Sequence, residues 1–350
     1  MTVMRWENLA APPDEGVPGR AAPATPPLPL ALPDAVVRTF DTPDFAGMTF
    51  YEVRAKSILN RVPGTSRVPF EWTINPYRGC SHACLYCFAR NTHTYLDFDA
   101  GADFDRQVVV KVNAGELVRR ELAAPRWRGA HLAMGTNVDC YQRAEGRYRL
   151  MPPIIEALRD FANPFSILTK GTLILRDLPL LRQAAEVTRV GVSFSVGFVD
   201  ERLWRSVEPG TPGPRRRLDA VRRFADAGFA VGVLMAPILP GLSDSDESID
   251  ATVAAIAGAG AASVTPLPLH LRPGAREWYA HWLAREHPDL VPRYRELYRA
   301  GAYAPQSYQR ELTARVRIAA RRHGLHRPDR SEHRQVTTAT PTVPEQLSLL

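Results

Sequence analysis

The 350-residue sequence predicts an α/β fold: a partial barrel of about six βα units with a helical C-terminal extension. Between Glu71 and Leu267, short apolar and β-branched runs alternate with stretches whose apolar residues recur at helical spacing. Such alternation makes a parallel sheet covered by helices, and six units are too few to close a ring of eight. Hydrophobic content of 45% and charged content of 23% are ordinary for a globular chain. No run of about 18 apolar residues is present, so no membrane span is expected.

Residues 1–45 are rich in Ala and Pro, which cannot propagate a helix and bury little, so this arm is expected to be extended and disordered. The pattern changes at Thr49. Phe50–Arg54 reads as a strand or extended lead-in, and Val68–Phe70 is extended because a proline disfavours helix in the residue before it. Glu71–Ile74 is the first core strand, broken by Asn75-Pro76. A short helix is expected over Phe88–Tyr95 and a strand over Val108–Val112. Asn113 is positioned to cap a helix over Ala114–Ala123. Strands follow at His131–Val138, Pro164–Thr169, Arg189–Val196, Phe229–Ala236 and Ala262–Leu267. Helices lie between them at Pro152–Phe161, Arg176–Val187, Pro214–Ala227 (ending at Gly228) and Ser245–Gly258. Arg276–Arg299 and Ser307–Arg322 read as covering helices, and residues 326–350 as a polar, disordered tail. The resulting division is an arm (1–45), a core (46–270), a helical extension (271–325) and a tail.

Three of the four cysteines fall in one loop after the first strand, as Cys80-x3-Cys84-x2-Cys87. Zinc or a closed iron–sulfur cluster takes four protein ligands. A cluster held by three leaves one iron open to a small molecule. The alternatives are a zinc-stabilised binding module, with His82 or His93 as fourth ligand, and an iron–sulfur electron carrier without further chemistry. No second Cys/His pair stands at finger spacing downstream.

The spacing, Tyr86 before the third cysteine and the strand before the loop resemble the radical S-adenosylmethionine (AdoMet) superfamily. The resemblance implies a [4Fe–4S] cluster on Cys80, Cys84 and Cys87, with AdoMet chelated at the open iron and reductively cleaved to a 5′-deoxyadenosyl radical. It also implies an electron donor of the flavodoxin or ferredoxin type. Within the superfamily, residues 70–270 resemble the spore photoproduct lyase-like branch, on the cysteine loop, on Gly135-Thr136-Asn137-Val138-Asp139 and on Leu168-Thr169-Lys170. Two departures bear on the reaction. Phe88, which has no hydroxyl, follows the third cysteine. The simplest register also puts Gly135 where the branch carries a hydrogen-donating cysteine, with Cys140 nearby. Cys140 and Tyr86 are the catalytic candidates.

In parallel α/β folds the working residues sit at the carboxyl ends of strands. Gly135 permits close approach there, while Thr136, Asn137 and Asp139 offer acceptors for the AdoMet amino group. Lys170 is placed to pair with a carboxylate. Ser193 and Ser195 alternate on one strand and so share a face toward the barrel interior. Met235-Ala236 and Leu269-His270 end the fifth and sixth strands on the side expected to receive adenine. Arg78 and Arg90 flank the loop and can place positive charge near a cluster.

The formal net charge of +7 and pI of about 9.4 favour an anionic partner such as DNA. The competing interpretation of runs such as Arg215-Arg216-Arg217 is a solvated surface. Few cysteines at ligand spacing and no recognisable signal peptide fit a cytoplasmic protein. The terminal Gln346-Leu347-Ser348-Leu349-Leu350 resembles the short peptide that bacterial replication and repair proteins insert into the sliding clamp.

Overall fold

The computed structural model describes residue 32, residues 34–63 and residues 68–325. In chain order the strands are β1 (Val36–Arg38), β2 (Thr49–Val53), β3 (Leu59–Arg61), β4 (Trp72–Ile74), β5 (Tyr77–Arg78), β6 (Gln107–Lys111), β7 (Leu132–Met134), β8 (Phe165–Thr169), β9 (Val190–Ser195), β10 (Gly232–Ile238) and β11 (Ser263–Pro268). The helices are α1 (Ala102–Arg106), α2 (Ala114–Leu122), α3 (Arg143–Tyr148), α4 (Met151–Asp160), α5 (Leu178–Val187), α6 (Glu201–Val207), α7 (Pro214–Asp226), α8 (Asp246–Gly258), α9 (Ala275–Glu286), α10 (Val291–Leu297) and α11 (Gln306–Arg322).

The main sheet runs β3-β4-β7-β8-β9-β10-β11, parallel from β4 to β11, with β3 antiparallel on its edge. Six parallel strands in sequential order with helical crossovers are the expected partial barrel. β3 and β11 remain edges, so the sheet does not close. Period-2 alternation sets its two faces. Phe165 and Ile167 of β8, Val190, Val192 and Phe194 of β9, and Val233 and Met235 of β10 are buried in the main core with Ile155 and Leu158 of α4 and Val221 and Phe224 of α7. The opposite face carries Ser166, Leu168, Gly191, Ser193, Gly232 and Leu234, which line a cavity of about 1320 Å³.

A second sheet, β1-β2-β6-β5, flanks the barrel. The sequence reading did not anticipate it as a sheet, and β1 extends order into the expected arm, since Val36–Arg38 pairs with Phe50–Glu52. Several other boundaries shift for local reasons. Gly135 adopts φ +74°, which ends β7 at Met134, short of the expected Val138. The expected helix Arg276–Arg299 divides into α9, a 3₁₀ turn at Pro288–Leu290 and α10, because His287 before Pro288 leaves the helical region (φ −142°, ψ 61°). Asn113 precedes α2 but does not cap it; its side chain bonds the backbone N and O of Ala55 instead. The short helix expected over Phe88–Tyr95 is present as a 3₁₀ helix, Phe88–Leu96.

The C-terminal helices divide their packing. α11 lies on α8 and β11. α9 and α10 form a second core with the cysteine loop, in which Tyr279, Trp282, Leu283, Tyr294 and Tyr298 pack around Cys84 and Tyr86. Among the described residues no helix is long and apolar enough to cross a membrane. The clamp-like residues Gln346–Leu350 lie outside the described residues.

Candidate active site

The loop Gly79–Cys87 leaves the carboxyl end of β4 and β5 and is clamped from four directions. Cys80 N donates to Phe104 O (2.9 Å). Gln142 bridges the loop, accepting from Ser81 N at 2.8 Å and donating to Gly79 O at 2.9 Å. From the segment after β9, Val207 O accepts from Leu85 N (3.0 Å), and Gly210 N donates to His82 O (3.1 Å). Arg90, wholly buried, donates to Cys84 O at 3.0 and 3.2 Å and pairs with Asp105 at 2.9 Å. Arg90 therefore places its charge beside the loop and not on a surface, while Arg78 is half-buried.

Cys80 and Cys84 are buried and Cys87 half-buried. Burial pushes all three thiols up, and for Cys80 the charges of Asp139, Cys87 and Cys84 add to this. Arg90 and Lys170 act in the opposite sense on Cys87. The three thiols thus lie in one another's fields, in a place where thiolates need compensating positive charge. Among the described residues, no three His, Cys, Asp or Glu side chains are gathered around a single metal-ion position. Three free thiols in one loop are donors of the kind that hold an iron–sulfur cluster, which would bring the cation charge that burial demands. Each of the two histidines read as a zinc ligand has one ring nitrogen engaged, and His93 Nδ1 is buried without a hydrogen-bond partner among the described residues. His82 Nδ1 is 3.4 Å from Asp139, and His93 Nε2 is 2.7 Å from Gln107 O.

Beside the loop lies a network that the sequence reading located only in part. Glu208, fully buried, accepts from Tyr86 Oη and from Arg217 Nη2, and its Oε1 is 3.2 Å from Lys170 Nζ. Lys170 also donates to Ser195 Oγ (2.5 Å) and Ala236 O (3.2 Å), and Ser195 Oγ donates to Ala236 O (2.9 Å). Arg217 donates to Ser195 O (2.9 Å). Burial alone would raise the Glu208 carboxyl, but Arg217, Lys170 and the Tyr86 hydroxyl outweigh it and hold the group at about 2. Four of the expected residues, Tyr86, Lys170, Ser195 and Ala236, are thereby joined by two unexpected ones. Arg217 was hidden in an arginine run that reads as surface, and indeed Arg215 and Arg216 are exposed. Glu208 precedes Pro209-Gly210-Thr211-Pro212-Gly213, whose turn signal marks a loop without naming its partner.

The remaining expected residues divide. Thr136 and Ser193 line the barrel cavity, whose lining reaches the amino ends of the strands at Glu71, His131, Gly191 and Ser263 and includes neither the cysteine loop nor Lys170, Ser195 or Glu208; Asn137 is half-buried. Asp139 has its acceptor capacity filled by Tyr141 N (2.9 Å), Thr169 Oγ1 (2.6 Å) and Lys170 N (2.7 Å), with His82 alongside. Its geometry is that of a latch between the ends of β7 and β8. Met235 faces the core, away from the cavity, which leaves only its backbone on the site's side. Cys140 is fully buried in the main core. Gly135 packs so closely on β8 that a Cβ there would stand 1.8 Å from Leu168 O. Gly135→Ala is therefore expected to lower stability by about 2–4 kcal/mol, through contact and positive φ together, as read by urea denaturation.

Comparison with known proteins places this geometry in context. The family model described as the radical SAM superfamily matches residues 74–252. An uncharacterized protein of Mycobacterium tuberculosis (strain ATCC 25618 / H37Rv) is 48% identical over 354 residues, covering 99% of this chain and 100% of that one. An uncharacterized protein of Methanocaldococcus jannaschii is 27% identical over 203 residues, covering 57% of this chain and 72% of that one. Among solved structures, a spore photoproduct lyase mutant with dinucleoside spore photoproduct superposes with a TM-score of 0.57 at 18% identity, covering 78% of each chain. Another mutant of that lyase, with bound AdoMet and dinucleoside spore photoproduct, gives 0.56 at 17% identity with the same coverage. These superpositions establish a shared fold.

Proposed function

The chain belongs to the radical SAM superfamily, and on that premise we propose that it holds a [4Fe–4S] cluster on Cys80, Cys84 and Cys87 and cleaves AdoMet to abstract hydrogen from a nucleic-acid-linked substrate. The observation that carries this reading is the joining of the buried cysteine loop to Lys170 and Ser195 through Glu208 and Tyr86. When bound, the cluster would supply the electron for reductive cleavage of AdoMet.

The protein's own part is binding, orientation and exclusion of water. Lys170 carries a fixed cation at the barrel end, suited to a carboxylate. Glu208 holds that cation and the Tyr86 hydroxyl in one arrangement, so neither must reorganise on binding. Phe198, Leu239, Leu269 and Tyr279 are buried in the same packed cluster as Cys84 and Tyr86 and keep the loop dry. Thr136 and Ser193 offer hydroxyls inside the barrel. The nucleic-acid link is supported by the net charge of +7 and by the dinucleoside that the lyase of like fold binds. A flavodoxin- or ferredoxin-type donor would supply the electron.

Protein prepared anaerobically is expected to contain iron and sulfide and, with AdoMet and a reductant, to release 5′-deoxyadenosine. Each of Cys80→Ala, Cys84→Ala and Cys87→Ala should abolish that release and lower bound iron. Ser193→Ala with Ser195→Ala should weaken AdoMet binding while the cluster spectrum persists. Stoichiometric zinc without iron, or an AdoMet addition that leaves the cluster's magnetic-resonance spectrum unchanged, would refute the proposal.

A further inference from the structure

Past the end of β11, on the edge where the barrel stays open, four side chains make a stepped face. Phe88, covalently next to Cys87, lies with its ring 5.8 Å from that of His270. His270 stacks on Tyr303 at 5.5 Å with 24° between planes. The Arg272 guanidinium is 5.4 Å from the Phe88 ring centre, and its Nη2 donates to Tyr303 Oη at 3.1 Å. The series runs outward: Phe88 and His270 are half-buried, while Arg272 is exposed and Tyr303 is 53% exposed.

This face is held rigidly. His270 and Tyr303 form an antiparallel bridge, and Leu271 N donates to Ala302 O at 2.8 Å. Tyr298 Oη donates to Leu269 O at 2.7 Å, and Arg276 donates to the carbonyl of Gly301. An exposed tyrosine is ordinarily mobile; here the backbone on both sides is pinned, so stacking on its outer face would forfeit little conformational entropy. Burial, with Arg272 adding to it, lowers the His270 imidazole to about 4, so near neutrality the stack is uncharged apart from Arg272. A stepped, neutral π-surface with one guanidinium at its edge matches a planar heterocycle joined to an anion.

We propose that Phe88, His270 and Tyr303 form a stacking platform that seats one unpaired base of a single-stranded or locally opened nucleic acid, with Arg272 facing its phosphate. This rests on the reading given under Proposed function and deepens it by locating where the strand meets the barrel mouth. Unpaired bases are recognised in this way because each presents a π-face, whatever its sequence.

The test uses the full chain with its cluster reconstituted anaerobically and fluorescein-labelled 12-mers of DNA and of RNA. One set has normal bases, one set an abasic centre, and one set is duplex. Single strands should bind more tightly than duplex. Tyr303→Ala should weaken single-strand binding by about 5- to 150-fold, the range for losing one stacked base. Tyr303→Phe should restore it. Arg272→Gln should reduce the slope of log affinity against log salt by about one. The DNA and RNA arms identify which strand is preferred. Tyr303→Ala binding as tightly as wild type, Tyr303→Phe failing to rescue, or equal weakening of the abasic and normal strands by Tyr303→Ala would each overturn the platform. So would weakening of AdoMet binding alone, which would make the face an adenine contact. Release of 5′-deoxyadenosine is scored separately. Its absence with strand binding intact would strike the radical chemistry and leave the platform standing.

Discussion

Glu208→Ala is expected to destabilise the protein by about 3–5 kcal/mol, the range for removing one partner of a buried ion pair. The side chains of Glu208 and Arg217 are 0% and 1% exposed, and that of Lys170 is 13% exposed. Alanine would leave two cations and the Tyr86 hydroxyl without their shared acceptor in a place water does not reach. Their repulsion would then push Lys170 out of its contact with Ser195, so AdoMet affinity should fall with stability. Glu208→Gln keeps the shape and one acceptor oxygen and should fall between wild type and alanine. Chemical denaturation of the two variants, with AdoMet binding measured on the folded fraction, separates them. Wild-type stability in Glu208→Ala would mean that the network contributes nothing.

The same residue sets an acid limit. The folded-state value of about 2 lies below the ordinary 4.5, so the charged form is the one that folding favours. Its contribution is complete above about pH 4.5 and is lost as pH falls toward 2. A shift of this size is worth roughly 3 kcal/mol, of the same order as the mutational expectation. Stability of Glu208→Gln should accordingly vary less with pH than wild type across that window.

The sequence made the sheet legible because six apolar runs lie between amphipathic stretches, and a parallel order follows from helical crossovers. It also showed that Ser193 and Ser195 share a face, since residues two apart on a strand point the same way. Of the flanking sheet only β2 and β6 are legible, because β1 and β5 have three and two residues, too few to show a period. Met235 and Ala236 read alike as a strand end, yet neighbouring residues on a strand face opposite sides, and it is the Ala236 carbonyl that meets Lys170. Asp139 illustrates a different limit. An acidic residue at a strand end looks available, and only the fold reveals that Tyr141, Thr169 and Lys170 have already used it. Glu208 and Arg217 illustrate the converse. Nine residues apart across a proline- and glycine-rich turn, they look like a loop acid and a surface base, and become a buried pair only when α7 packs on β9.

Gly210→Ala should be the most damaging small substitution near the cysteines. The requirement at Gly210 is space, since its φ is not in the left-handed region. A Cβ there would stand 2.0 Å from Ser81 O and 2.9 Å from both His82 C and His82 O. All three atoms are backbone of the cysteine loop, so no flexible side chain can swing away. Relief requires the loop to move as a unit, which strains the Gly210 N to His82 O and Leu85 N to Val207 O bonds that clamp it. The expected result is a loss of about 2–4 kcal/mol and a reduced iron content after anaerobic reconstitution, because Cys84 and Cys87 follow the displaced residues. Gly213→Ala, in the same turn, is the control. Its Cβ would meet Trp204 at an ordinary 3.6 Å, so its stability should stay within about 1 kcal/mol of wild type with iron content unchanged. Equal iron and equal stability in the two variants would show that the clamp does not position the cysteine loop.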